Sequence, residues 1–139
     1  RELRGHKDRI TCMTASSRGD LLLSGSDDGC VRVWDVRTGA GVRTVRVSES
    51  GVKAVAWSPD QKFFATGTDN AVVGMWDIAT GKCLREFRGH SREITAVQFS
   101  SNQRFILSAS SDGFVMIWEL DWQWKFDGGK GSQAGEEKS

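Results

Sequence analysis

Apolar and polar positions along this chain fall in short runs, and none of the runs keeps a helical spacing. Ile10–Ser16, Leu21–Ser26, Cys30–Val36 and Val42–Val47 are rich in β-branched and apolar residues and alternate in part, which predicts four short strands. Gly19-Asp20, Asp28-Gly29 and Thr38-Gly39 separate them as turns. The one proline, Pro59, sits before Asp60 in a turn, so no strand is interrupted.

The same pattern returns with a fixed period. Trp34, Trp76 and Trp118 are 42 positions apart, and that shift carries Ser24 to Thr66 and Ser108, and Asp28 to Asn70 and Asp112. It also carries Ile10 to Val52 and Ile94, and Leu21-Leu22-Leu23 to Phe63-Phe64-Ala65 and Phe105-Ile106-Leu107, without a gap. Arg1-Glu2-Leu3-Arg4-Gly5-His6 recurs two periods later as Arg85-Glu86-Phe87-Arg88-Gly89-His90. A period of this size means a repeat architecture in which each unit buries its apolar face on a neighbour.

The repeated unit resembles the WD40 repeat. The resemblance rests on Gly5-His6 with Trp34-Asp35, on Gly89-His90 with Trp118-Glu119, and on Trp76-Asp77, which has no Gly-His partner. It implies an all-β fold: propeller blades of four antiparallel strands, three of them, in an incomplete ring. Residues 1–126 are then a partial propeller with repeats at about 5–46, 47–88 and 89–120. Residues 1–4 would be an outer strand of another blade, either a missing preceding one or the last. After Trp118 the pattern fails: Trp122-Gln123 stands where earlier repeats have Thr38-Gly39 and Thr80-Gly81. Residues 121–126, with alternating Trp122, Trp124 and Phe126, are expected to be an irregular end, and the Gly-, Ser- and charge-rich residues 127–139 a disordered tail.

The resemblance also implies a buried hydrogen-bond chain in each blade. Ser24 and Trp34 are ten apart around a turn, so they are expected to face each other across a hairpin, the hydroxyl accepting from the indole N–H. A histidine can bond both the serine and the aspartate. His6, Ser24, Asp28 and Trp34 form such a set in the first unit, and His90, Ser108, Asp112 and Trp118 in the third. In the second, Ser48 stands where His would and Asn70 where Asp would, leaving Thr66 and Trp76; this blade is expected to be the least rigid. A Ser-His-Asp set also suits a hydrolase. Its duplication with the fold period, each time beside a Trp, and the lack of a Gly-x-Ser-x-Gly elbow point to structure instead, so no enzyme is expected.

Composition narrows the function classes. The chain has 139 residues, 38% hydrophobic and 27% charged, with a formal net charge of +1. That balance reads as a soluble globular chain with no field to draw in nucleic acid or an anionic membrane. No apolar stretch approaches the roughly 18 residues of a membrane span. The start lacks both a signal-peptide core and an initiator Met, so the chain is expected to begin inside a longer one or to be trimmed. Cys12, Cys30 and Cys83 form no Cys-x-x-Cys pair, and His6 and His90 are far apart, so no metal, cofactor or disulfide is expected. Buried reduced cysteines would place the chain in the cytoplasm. Asp127-Gly128-Gly129-Lys130-Gly131-Ser132 lacks the spacing of a phosphate loop.

The expected function is a non-catalytic scaffold for protein partners, with the remaining blades supplied by the longer chain or by self-association. Candidate partner-binding residues are those in the loops that enter the innermost strands: Lys7 and Arg9, then Glu49, then Arg92 and Glu93. Two further resemblances suggest alternatives. Trp34-Asp35-Val36-Arg37 resembles the Trp-Asp-x-Arg box of substrate receptors of cullin-type ubiquitin ligases. The chain's end is similar to propeller ends in large bacterial WD-repeat proteins fused to kinase or NTPase modules, which implies a regulatory or sensor module.

Overall fold

A computed structural model describes residues 1–120 of the chain. The irregular end expected at 121–126, with Trp122, Trp124 and Phe126, and the tail at 127–139 lie outside the described residues. Eleven strands follow one another with no helix between them: β1 (Ile10–Ala15), β2 (Leu21–Ser26), β3 (Cys30–Asp35), β4 (Gly41–Arg46), β5 (Val52–Trp57), β6 (Phe63–Thr68), β7 (Val72–Asp77), β8 (Cys83–Arg88), β9 (Ile94–Phe99), β10 (Phe105–Ser110) and β11 (Val115–Glu119). They form three antiparallel meanders, β1-β2-β3-β4, β5-β6-β7-β8 and β9-β10-β11. Turn residues explain the meander. Each β2–β3-type hairpin turns at a left-handed residue, Gly29 (φ 83°), Ala71 (φ 73°) or Gly113 (φ 90°).

The core lies between the sheets. β5 packs on β1 and β2, and β9 on β5 and β6, so the first strand of each sheet lines the inner side of the stack. Leu23, Val31, Val33 and Val45 of the first sheet meet Val52, Val55, Phe64 and Trp76 of the second. Phe63, Met75 and Phe87 of the second meet Ile94, Val97, Ile106 and Trp118 around the third. Sandwiched on both faces, the second sheet has every residue of β6 buried. Blade-to-blade approach depends on missing side chains. A Cβ on Gly25 would come within 2.8 Å of Val52, and one on Gly67 within 2.3 Å of Ile94.

The outer two faces are open. Met13 (68% exposed) lies on the first, and Val115 (69%) with Ile117 on the last, opposite in the strand alternation to the covered Met116 and Trp118. Among the described residues no closed ring forms. Arg1–Arg4 enter no ladder among the described residues; Arg1 and Leu3 lie against the Gly39 turn.

One pairing differs from expectation. Ser24 is directly opposite Arg32, and Trp34 opposite Leu22. The left-handed turn at Gly29 centres the hairpin one residue earlier than a turn midway between Ser24 and Trp34 would, so the two are diagonal neighbours on one face. The indole still reaches the hydroxyl because the side chain is long.

Candidate functional site

The short linker before each inner strand brings one side chain back onto the sheet it enters. In the first sheet that residue is His6, whose ring is almost fully covered. Its Nε2 lies 2.7 Å from Ser24 Oγ, and its Nδ1 lies 3.1 Å from Asp28 Oδ2. Trp34 Nε1–H donates to the same Ser24 Oγ at 2.8 Å. A carboxylate only accepts, so Nδ1 carries the proton, and with the ring neutral the serine hydroxyl donates to Nε2 while it accepts from the indole. The third sheet repeats the geometry: His90 Nε2 to Ser108 Oγ at 2.8 Å, His90 Nδ1 to Asp112 Oδ2 at 2.9 Å, and Trp118 Nε1–H to Ser108 Oγ at 2.9 Å. Each histidine stands edge-on to its tryptophan, with centroids 6.4 Å apart.

The aspartates are held by more than histidine. Asp28 accepts from the backbone N–H groups of Lys7 and Cys30, and Asp112 from those of Ser91 and Phe114. Burial pushes both carboxyls up. The two N–H donors and the histidine outweigh it and bring each down to about 2. Each aspartate thus ties a linker to a hairpin turn.

This arrangement has the atom order of a hydrolytic triad but not its access. Ser24 is 4% exposed and Ser108 2%, and both oxygens already hold an indole N–H. A nucleophile must present a free lone pair to substrate beside an oxyanion hole.

In the second sheet, Trp76 Nε1–H donates to Thr66 Oγ1 at 3.0 Å. Ser48 does not reach them. Its Oγ lies 3.2 Å from Ser50 Oγ and accepts from Ser50 N–H at 3.0 Å. Asn70 Oδ1 accepts a short bond from Thr68 Oγ1. The stack of Phe64 on Trp76, 6.1 Å between centroids, and apolar cover on both faces pack this sheet where the network is thin.

The candidate partner residues sit at one end of the inner strands. Lys7, Arg9, Glu49 and Arg92 are exposed and Glu93 is half-buried. Arg9 is not free of the scaffold: its guanidinium donates to Asp27 Oδ2 at 2.9 Å, while Lys53 of the next sheet donates to Asp27 Oδ1 at 3.2 Å. Lys53 first and Arg9 second hold the Asp27 carboxyl below its ordinary range.

Several bridges between blades escape a reading by motif. Gln61 Oε1 accepts from Ser17 Oγ–H and Arg18 N–H of the preceding sheet, and Gln103 binds Asp60 through both ends of its amide. Both glutamines are left-handed, φ 64° and 61°, where the first repeat has Gly19 at 77°. Their 42-residue spacing was the available signal. Arg43 donates to the carbonyls of Ala79 and Thr80, and Trp57 Nε1–H to that of Thr14.

The cysteines are less covered than expected: Cys12 and Cys30 are half-buried and Cys83 is exposed. Partial desolvation, with Glu86 adding to it, raises Cys83 to about 11, so its thiol stays protonated and unreactive at neutral pH. Among the described residues no group of His, Cys, Asp and Glu is placed to hold a metal ion, and no helix is long and apolar enough to cross a membrane.

Comparison with known proteins agrees with this geometry. The family model described as WD domain, G-beta repeat, matches residues 1–35, 39–77 and 81–119. Human ribosome biogenesis protein BOP1 is 52% identical over 56 residues, covering 40% of this chain and 7% of that protein. Ribosome biogenesis protein bop1-A of Xenopus laevis is 46% identical over 57 residues, 41% of this chain and 8% of that protein. The chain therefore spans a small part of these curated relatives. The crystal structure of the RRP9 WD40 repeats superposes with a TM-score of 0.82 at 26% identity, over 86% of this chain and 38% of that one. The structure of U3-55K gives 0.82 at 25% identity with the same coverage. These relatives, named for ribosome biogenesis, overturn the expected cytoplasmic location. Reduced cysteines mark a reducing environment, which the nucleus shares with the cytoplasm, and so could not separate the two.

Proposed function

The chain belongs to the WD domain, G-beta repeat family, and on that premise we propose that it is a non-catalytic scaffold that holds protein partners within a ribosome-assembly complex. One observation carries the reading: the hydroxyls capable of chemistry are locked in two copies of a buried network, while charged linker residues stay accessible at one end of the blades. The names of the relatives support the setting. The net charge of +1 favours protein over nucleic acid as the partner.

Repeats at 5–46, 47–88 and 89–120 are the units of this scaffold, and Arg1–Arg4 is the outer strand of another blade. A spatial parallel supports the latter. Arg1 and Leu3 approach the Gly39 turn as Arg43 and Val45, one period on, approach the Gly81 turn. Further blades come from the longer chain or a second copy.

The test is charge reversal. Arg9→Glu with Arg92→Glu, in the intact protein in its source cells, is expected to weaken co-sedimentation with pre-ribosomal particles by roughly tenfold or more, with only a small fall in melting temperature from the lost Arg9–Asp27 bond. The association should survive nuclease treatment. Undiminished co-sedimentation, or its loss on nuclease treatment, refutes this surface as a protein-binding one. Stoichiometric labelling of Ser24 or Ser108 by a fluorophosphonate would refute the non-catalytic reading.

A further inference from the structure

The place left by the missing histidine of the second blade is not filled. A cavity of about 200 Å³ opens there, between the linker residues Val47 and Ser48 and strands β6, β7 and β8. Three sequence changes make it. Ser48 replaces the histidine and turns its hydroxyl away to Ser50. Asn70 replaces the aspartate. Gly74 stands where Arg32 and Met116 stand in the other blades. Those two side chains pack over the Gly before each histidine: Cβ atoms on Gly5 and Gly89 would meet Arg32 and Met116 at 2.5 and 3.2 Å.

The floor of the cavity keeps the chemistry of its intact counterparts. Thr66 is fully buried, and among the described residues Trp76 Nε1–H is the only partner of its Oγ1. The threonine O–H is thus left without the acceptor that His6 and His90 supply to Ser24 and Ser108 at 2.7 and 2.8 Å. Asn70, neutral in place of the aspartate, lies opposite. Glu86 and Arg88, exposed and paired at 3.0 Å, flank the cavity on β8. A cavity of about 150 Å³ accepts benzene, so a five-membered ring fits here.

We propose that this cavity binds an imidazole ring from outside the chain, the histidine side chain of a partner peptide, which completes the second blade as His6 and His90 complete the first and third. The ring nitrogen accepts from Thr66 Oγ1–H, the ring stands edge-on to Trp76, and its N–H faces Asn70. Only the source of the ring rests on the scaffold reading; the cavity and its preference do not.

The test uses the full chain and free imidazole, followed by NMR at a pH where the ring is neutral. The Trp76 indole N–H is expected to shift saturably while those of Trp34 and Trp118 do not. N-methylpyrrole, the same ring size without an acceptor nitrogen, should give no such shift. Ser48→His should abolish the response and raise the melting temperature, and Thr66→Val should abolish the response and lower the melting temperature, because the Trp76 indole N–H loses its acceptor. A blocked histidine, N-acetylhistidine methylamide, should bind at least as well as imidazole. An unmoved Trp76 indole, or an equal response to N-methylpyrrole, overturns the site whatever the charge-reversal result. Binding of imidazole but not of blocked histidine overturns the partner side chain as its occupant.

Discussion

At the scale of single residues, the two histidine networks are where stability is concentrated. Removing His90 leaves the Ser108 O–H without its acceptor and takes one of two donors from Asp112 Oδ2 in a covered site, which costs about 1–3 kcal/mol. His6→Ala should behave alike. Ser48→Ala removes only a contact to Ser50 and should stay within about 0.5 kcal/mol. Urea unfolding of the three variants checks this, and equal losses would contradict it. The aspartates add a pH dependence of known sign. Asp28 and Asp112 stand at about 2 in the folded chain against an ordinary 3.8, so the folded state binds their protons less readily than the unfolded state does. Their contribution is full above about pH 5 and disappears as pH falls toward 2. Melting temperature should drop through that window, and Asp28→Asn with Asp112→Asn should flatten the drop.

At the scale of elements, blades adhere because glycine on one strand admits a branched side chain from the next. Gly67 on β6 receives Ile94 of β9, where an added Cβ would lie 2.3 Å from a methyl carbon and 2.7 Å from Ile94 Cβ. Gly67→Ala is expected to destabilise by about 1–3 kcal/mol through overpacking, read by thermal or urea unfolding. Gly41, with nothing within 4 Å of such a Cβ, is the control, and Gly41→Ala should leave packing unchanged. The second blade is the informative element. Its network is the thinnest, which by itself argues for the least rigid blade, yet among the described residues it alone is covered on both faces.

At the scale of the whole molecule, the open faces govern behaviour. Met13, Val115 and Ile117 lie on surfaces that further blades would cover, since repeat arrays bury such faces on neighbours. The isolated chain is expected to self-associate with rising concentration, and Val115→Lys with Met13→Lys to shift it toward monomer in analytical ultracentrifugation. A chain extended by its further blades should be monomeric under the same conditions. A fully monomeric isolated chain would show that these faces need no cover.

The amino-acid sequence by itself determined the strands, the turns and the period. Runs of β-branched residues and turn pairs act locally, and a 42-residue repeat shows without any contact map that like units stack. It also determined which residue types recur together: His6 with Ser24, Asp28 and Trp34, and His90 with Ser108, Asp112 and Trp118. Only the tertiary structure decided how they meet. The diagonal placing of Ser24 and Trp34 follows from where the Gly29 turn centres the hairpin, a difference of one residue that period alone does not resolve. The bridges from Gln61 and Gln103 depend on a left-handed backbone brought against the next blade. The cavity beside Ser48 arises from side chains on a linker and three strands, none carrying a motif. Local pattern specifies a blade because strand and turn preferences are short-range. Register, inter-blade contacts and empty space are long-range consequences of stacking, so they are settled only when the blades are packed together.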